Sequence, residues 1–362
     1  MTVRAAVLEA PRRLTVRTME RPEIGQDDAL LRVEACGLCG TDHEQYTGVL
    51  FGGFSFVPGH EVVGTLEAIG PHAAKRWGVA AGDRVAVEVF QSCRECGPCR
   101  MGEYRRCERH GLRDMYGFVP VDRPPGLWGG YAELQYLAPD TMLVPVPPAL
   151  DPVTATLFNP VGAGIRWGVT LPGTTAGDVV AILGPGIRGL STVAAVRDAG
   201  AGFVLVTGNG PRDAPRLDAA RAFGADAAID VSIADPVAEL RAATGGLADV
   251  VVDVTANAPS ALAQAVALAR PGGVVVLAGM RGDASLPGFR ADAIVLKELR
   301  VLGALGVDVT AYRAALELVA SGRYPFADLT REVVGLDDVT ELLVAMAGEG
   351  DGAPPVHGVV RP

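Results

Sequence analysis

Cys93, Cys96, Cys99 and Cys107 lie within fifteen positions, separated by two, two and seven intervening residues. Zinc takes about four soft or borderline ligands in a tetrahedron, and thiolates on one tight loop supply them. Gly97 and Pro98 suit such a loop, since Gly relaxes backbone sterics and Pro fixes φ. Two disulfides are the alternative, and the absence of a charged-then-apolar leader argues against them. Four filled positions leave no room for a substrate, so this metal would be structural. A second group has a different composition. Cys39-Gly40-Thr41-Asp42-His43-Glu44 precedes Pro58-Gly59-His60-Glu61 by about twenty residues. Cys39, His60 and Glu61 offer a thiolate, an imidazole and a carboxylate, the ligand set of a catalytic zinc with one open position. Either pattern alone fits ordinary packing, but the two together point to a metal. Cys36 reads as a small buried residue.

A third group binds rather than reacts. Val179 to Leu183 is an apolar strand that runs into Gly184-Pro185-Gly186-Ile187-Arg188-Gly189, followed by helical sequence from Leu190 to Ala199. This is G-x-G-x-x-G with a strand before it and a helix after it, the setting in which the motif binds a dinucleotide. The first Gly makes the turn, the second lets backbone approach pyrophosphate, and the third lets helix pack on strand. The cofactor contacts expected are Gly184, Gly186, Ile187, Arg188 and Gly189, then Gly208 and Arg212 after the next strand, Phe203 to Thr207. No carboxylate ends that strand, where an NAD site usually holds the ribose. Arg212 or Arg216 can meet a 2′-phosphate, and Asp213 can reach back to the ribose, so NAD and NADP both stay open.

The elements that must hold these groups follow from the apolar runs. Ala5 to Leu8, Leu30 to Val33, Glu61 to Ile69 and Asp83 to Val87 are short strands cut by Gly and Pro, with no sustained helical period among them. Residues 110 to 150, with Gly129-Gly130, read as the closing strands of this first domain. A helix capped by Asp151 carries Ala155, Leu157, Phe158 and Asn159 up to Pro160. Beyond the glycine turn, Leu217 to Phe223 and Ala261 to Ala269 are helices; Asp249 to Val254, Gly273 to Leu277 and Arg300 to Gly303 are strands. Strands alternating with helices imply a doubly wound parallel sheet. Tyr312 to Ser321 and Val339 to Met346 are amphipathic helices, and Gly348 to Pro355 is a loop. The fold class is therefore α/β, a β-rich domain beside a Rossmann domain.

A chain of 362 residues exceeds one ordinary core. A net charge of -10 disfavours a nucleic-acid partner. No apolar run reaches membrane-spanning length, so no membrane association and a cytoplasmic location are expected.

Cys39-Gly40-Thr41-Asp42, Gly59-His60-Glu61, the four-cysteine lobe, Gly129-Gly130 and the glycine triad occur in an order and spacing that resemble the zinc-dependent medium-chain alcohol and polyol dehydrogenases. The resemblance covers nearly the whole chain. It implies a GroES-like catalytic domain over residues 1–150, with the structural zinc lobe at about 90–110. It further implies a Rossmann domain over 151–305 and a segment, 306–362, completing the catalytic domain, with the substrate cleft between the two domains. It implies two zinc ions per chain, NAD or NADP, an alcohol or carbonyl substrate, and a homodimer or homotetramer. Thr41 would accept the alcohol proton and pass it towards His43 or Glu44.

Three positions depart from the family pattern. Asn159 stands where relatives place a charged third ligand, Glu44 where many place a relay His, and His357 where many place a Lys. Asn159 binds the metal through oxygen, positions a water, or does neither. Tyr46, Phe51, Phe54, Trp128 and Trp167 are candidate walls for the substrate, and Asn159 leans the preference towards polar, polyhydroxylated substrates. Two other readings keep the fold: double-bond reduction or transient oxidation for elimination or epimerisation, and a non-catalytic dinucleotide sensor.

Overall fold

Short apolar runs bounded by Gly and Pro become strands along the first part of the chain. The computed structural model describes residues 1–256, 258–281, 286, 289–350 and 354–362; part of the Gly348 to Pro355 run lies outside the described residues. β1 (Thr2–Ala10) and β2 (Arg13–Glu20) form an antiparallel hairpin. β3 (Ala29–Leu38), α1 (Gly40–Thr47), β4 (Glu61–Ile69), α2 (Pro71–Trp77), β5 (Arg84–Val87), α3 (Gly97–Arg100), β6 (Leu134–Leu137), β7 (Leu143–Pro145), α4 (Pro152–Ala155) and α5 (Phe158–Ile165) follow. Next come β8 (Val179–Leu183), α6 (Ile187–Asp198), β9 (Phe203–Gly208), α7 (Ala214–Ala222), β10 (Ala227–Asp230), α8 (Pro236–Thr244), β11 (Ala248–Asp253), α9 (Ser260–Leu268), β12 (Ala269–Leu277), α10 (Asp292–Leu296) and β13 (Arg300–Gly303). α11 (Val309–Ala320), β14 (Arg331–Val334), α12 (Val339–Ala347) and β15 (His357–Val360) complete the chain.

Two units result. One comprises Met1–Phe158, Leu316–Ser321 and Ala327–Pro362, the other Asn159–Ala315 and Gly322–Phe326. In the first, a seven-stranded sheet runs β14-β15-β3-β4-β5-β7, with β6 also on β3. β15 lies antiparallel on β3, placing Gly358 opposite Leu38. The core beneath holds Leu30, Leu31, Leu38, Phe56, Tyr131 and Leu342, all buried. Cys36 is fully buried there, and burial pushes its thiol well above the usual range.

The second unit holds six parallel strands in the order β10-β9-β8-β11-β12-β13. The order reverses between β8 and β11, and ligands of such sheets bind at that switch, beyond the strands' carboxyl ends. Leu183, Leu205, Val251 and Val275 form the core between sheet and helices.

Several elements depart from the expectations of the sequence. α1 and α2 occupy a stretch with no sustained helical period. α1, Gly40–Thr47, has scarcely an apolar face. It is held at its ends instead: Cys39 N–H donates to Asp42 Oδ2 at 2.9 Å, and Gly48 closes it at φ 97°. A side-chain acceptor at a helix start and a left-handed residue at its end stabilise a helix whatever its periodicity. β10 and α8 are also additional. The expected helix from Asp151 is two, α4 and α5, although Asp151 does cap the first by accepting from Thr154 N–H at 3.0 Å.

Candidate active site and metal centres

β3 ends in the turn that carries Cys39, and α1 begins immediately after it. Across the sheet, Gly59 sits at φ 91°, a left-handed conformation that delivers His60 to the start of β4. A Cβ at Gly59 would meet the Tyr131 ring at 2.7 Å and Cys36 Sγ at 2.9 Å, so glycine is required twice over. Cys39 Sγ then lies 3.3 Å from His60 Nε2. The other imidazole nitrogen, Nδ1, faces Asp42 Oδ1 at 3.6 Å. Cys39, Asp42 and His60 are all buried, and neither Asp42 Oδ1 nor His60 Nδ1 has a hydrogen-bond partner among the described residues.

Buried polar atoms without partners are costly, which suits a site shaped for an ion. Sulfur and nitrogen bound to one tetrahedral zinc lie about 3.5 Å apart, given Zn–S of about 2.3 Å and Zn–N of about 2.0 Å. The Cys39–His60 pair fits that edge. Because Nε2 faces the sulfur, Nδ1 faces away from it. Asp42 therefore stands where a carboxylate orients a metal-bound imidazole. The sequence alone assigns Asp42 no role; its signal is its place three residues after Cys39, at a helix start.

Glu61 is buried, and its carboxylate runs over Gly37 on the paired strand rather than joining the Cys39–Asp42–His60 group. Thr41 and Glu44 are three residues apart on α1 and share a face. Glu44 is buried, and burial raises its carboxyl above the ordinary value, with His43 opposing. His43 turns elsewhere, to Glu349 at 2.9 Å. Arg12 and then His43 hold the Glu349 carboxyl down at about 2.

The second metal group is the lobe around α3. Cys93, Cys96, Cys99 and Cys107 bring their sulfurs within 4.8 Å of one another, and no cysteine forms a disulfide. Cys93 and Cys99 are 3.8 Å apart, and two sulfurs on one tetrahedral zinc lie about 3.8 Å apart. Cys96 N–H donates to Cys93 Sγ at 3.4 Å, which helps bring that thiol down to about 6 and favours the metal-binding thiolate. The lobe is tied to its sheet by Tyr104, which donates to Glu88 at 2.6 Å, and by Arg94, which donates to the Thr141 carbonyl at 2.8 Å.

In the other unit the glycine turn leads from β8 straight into α6. Gly184 has φ 104°, and a Cβ on Gly189 would sit 1.9 Å from the Gly184 carbonyl oxygen. Gly186 precedes Ile187 at the start of α6 with open space before it. Arg188 lies over the Trp167 ring at 5.1 Å and donates to Asn159 Oδ1 at 3.3 Å. Asn159 Nδ2 in turn donates to the Tyr312 hydroxyl at 2.9 Å. Gly208 ends β9 in a crowded spot, where a Cβ would meet Asp213, Leu217 and Pro185 at 3.0 to 3.1 Å. Asp213 accepts from Asn209 N–H at 2.9 Å and lies 3.6 Å from Arg216, whose side chain is only 18% exposed. Arg212 is exposed beside it.

His357 is buried at the start of β15. Its Nδ1 accepts from Arg331 Nε at 3.0 Å, and Nε2 lies 3.1 Å from Thr156 Oγ1. Burial, then Arg331, lowers its imidazole to about 3, so it is neutral and structural. Tyr46 and Trp128 are core residues and Trp167 packs under Arg188, while Phe54 is exposed.

A buried thiolate–imidazole pair spaced for a metal, and a separate turn shaped for a dinucleotide, define a metal-assisted nicotinamide oxidoreductase. Residues 25–148 match the alcohol dehydrogenase GroES-like domain, and residues 189–321 match the zinc-binding dehydrogenase domain. The chain is 72% identical over 361 residues to the Mycobacterium tuberculosis protein named "Probable alcohol dehydrogenase", covering 99% of this chain and 98% of that one. Bacillus subtilis sorbitol dehydrogenase is 29% identical, with 94% and 92% covered. A zinc-binding dehydrogenase from Sinorhizobium meliloti, solved with NADP, superimposes with a TM-score of 0.85 at 30% identity over 100% of both chains. The chain belongs to the zinc-dependent medium-chain dehydrogenases. It is an alcohol or polyol oxidoreductase that works with zinc and a nicotinamide cofactor. Among the described residues, no helix is long and apolar enough to cross a membrane.

Proposed function

We propose that the chain oxidises an alcohol, or reduces its carbonyl product, with Cys39 and His60 as ligands of the catalytic zinc, Asp42 as the group that orients His60, and Glu61 held outside that set. The observation that carries the reading is the buried Cys39–His60 pair at 3.3 Å, with Asp42 behind the ring. Held by these residues, zinc would supply Lewis acidity toward the alcohol oxygen and a nicotinamide would supply the hydride acceptor. The protein handles the proton. Thr41 Oγ1 takes it from the alcohol and hands it along the same helix face to Glu44. A carboxyl raised by burial accepts a proton nearer neutral pH than an exposed one. His43, engaged with Glu349, stays outside this path.

Asn159 serves the dinucleotide turn in this reading, not the metal. Both ends of its amide are engaged, by Arg188 and Tyr312, and it holds the Arg188 guanidinium at the turn. The cofactor is NADP(H). The carboxylates after β9 are turned to their own loop, and Gly208 leaves no room for another. Arg212 and Arg216 supply the positive charge that a 2′-phosphate needs.

The test is Cys39→Ser. We expect zinc to fall from about two to about one per chain and turnover to fall by orders of magnitude, since removing one transition-state interaction in such a site costs several kcal/mol. Full turnover with two zinc retained overturns the assignment.

A further inference from the structure

Beside the Cys39–His60 pair lies a cavity of about 730 Å³ within the same unit. Its walls are Leu50, Phe54, Phe56, Leu112, Met115 and Phe118. Phe118 links it to the metal site: its ring centroid is 5.9 Å from that of His60. Phe54 meets Phe56 edge-on at 6.1 Å, making an aromatic wall. Phe54 is 39% exposed and Leu112 53%, so apolar surface faces solvent here.

The charged residues at this cavity are already engaged. Asp114 accepts from Arg123 at 2.6 Å and pairs with His110 at 2.7 Å. Arg123 lies over the Trp128 ring at 5.1 Å. Arg113 donates to the Arg109 carbonyl. Leu50, Leu112, Met115 and the three phenylalanines offer no side-chain partner to a hydroxyl, and burying a hydroxyl without a partner carries a desolvation cost. A polyol entering this space would meet that cost at several carbons. An aryl group gains both burial and ring contacts there. The volume lies within the range of sites that enclose a whole small molecule, far more than a two-carbon alcohol needs.

We infer that this cavity is the substrate-binding pocket and that it selects aromatic alcohols and their aldehydes over polyols, with Phe54 and Phe118 as the residues that set the preference. The inference rests on the dehydrogenase reading above for its chemistry, and on the cavity alone for its selectivity. The step is a two-electron exchange: the carbinol C–H bond breaks as hydride to NADP⁺, the hydroxyl proton leaves to the protein, and the aryl aldehyde and NADPH result.

The experiment uses the zinc-loaded enzyme, with NAD⁺ and with NADP⁺, on cinnamyl alcohol and benzyl alcohol against sorbitol and xylitol, followed by formation of the reduced cofactor and, separately, by calorimetric binding of cinnamyl alcohol. We expect kcat/KM for the aromatic alcohols to exceed that for the polyols at least 100-fold. Phe54→Ser is expected to raise KM for cinnamyl alcohol about tenfold with zinc content unchanged. Sorbitol or xylitol turned over as well as cinnamyl alcohol overturns the selectivity and leaves the dehydrogenase reading standing. Cinnamyl alcohol that binds, and binds more weakly to Phe54→Ser, with neither NADH nor NADPH formed supports the pocket and overturns the dehydrogenase reading. Failure of cinnamyl alcohol to bind the zinc-loaded enzyme overturns the pocket.

Discussion

Replacing His357 with Gln should flatten the acid sensitivity of the fold. His357 is buried and neutral in the native state, with an imidazole lowered to about 3 from an ordinary 6.5. A lowered folded-state value means that the unfolded chain takes up this proton first. The contribution is therefore complete above pH 6.5 and is lost as pH falls towards 3. Each pH unit in that window is worth about 1.4 kcal/mol, so moving from pH 8 to pH 5 costs about 2 kcal/mol through this residue. Arg331 faces the ring, donating to Nδ1, and so cannot accept its extra proton; Thr156 lies on the other side. Gln keeps a donor and an acceptor and carries no proton to titrate. The assay is urea unfolding of wild type and His357→Gln at pH 8 and pH 5 with zinc saturating. Protonation of the metal ligands weakens both proteins alike, so the difference between them isolates His357. Wild type should lose about 2 kcal/mol more than the variant over that interval. Parallel losses would refute the reasoning, as would an imidazole signal of His357 titrating near 6.5 in the folded protein.

Two further outcomes follow from the same geometry. Cys99→Ser should release the structural zinc, lower the thermal midpoint and open the lobe to protease, while Cys39–His60 zinc is retained; unchanged protease resistance would remove the lobe's stapling role. NADPH should bind at least tenfold more tightly than NADH, and Arg212→Ala together with Arg216→Ala should abolish that preference, read by quenching of intrinsic fluorescence; equal affinities in the wild type would discard the phosphate site.

Most of the second unit was legible because buried parallel strands are written as unbroken apolar runs, as in Val179 to Leu183 and Phe203 to Thr207. Ala227–Asp230 and Pro236–Thr244 were not, because their many alanines give little contrast of polarity. In the site, cysteine spacing marked the lobe and the glycine triad marked the turn. Asp42 was hidden because a carboxylate's role depends on which imidazole nitrogen it faces, and that is fixed by the fold. Phe118 was hidden for a similar reason: an isolated aromatic says nothing of which histidine it will lie against. The lean towards polyols came from Asn159 alone, whose amide is engaged by Arg188 and Tyr312.

The pairing of Gly358 with Leu38 has a consequence for biosynthesis. Cys39 leaves the ribosome long before the strand that flanks its own, β15. Between the two, the whole parallel-sheet unit is synthesised and is free to fold as a unit. Pairing across so long a stretch of chain is slow, because loop closure must be completed before its contacts form. A stalled nascent chain ending before residue 357 would hold a finished dinucleotide fold together with a Cys39 strand that lacks its β15 neighbour. Completion of the sheet around the Cys39 strand is thus a late event in the life of the polypeptide, whereas the four-cysteine lobe, local in sequence, can take its metal while translation is still under way.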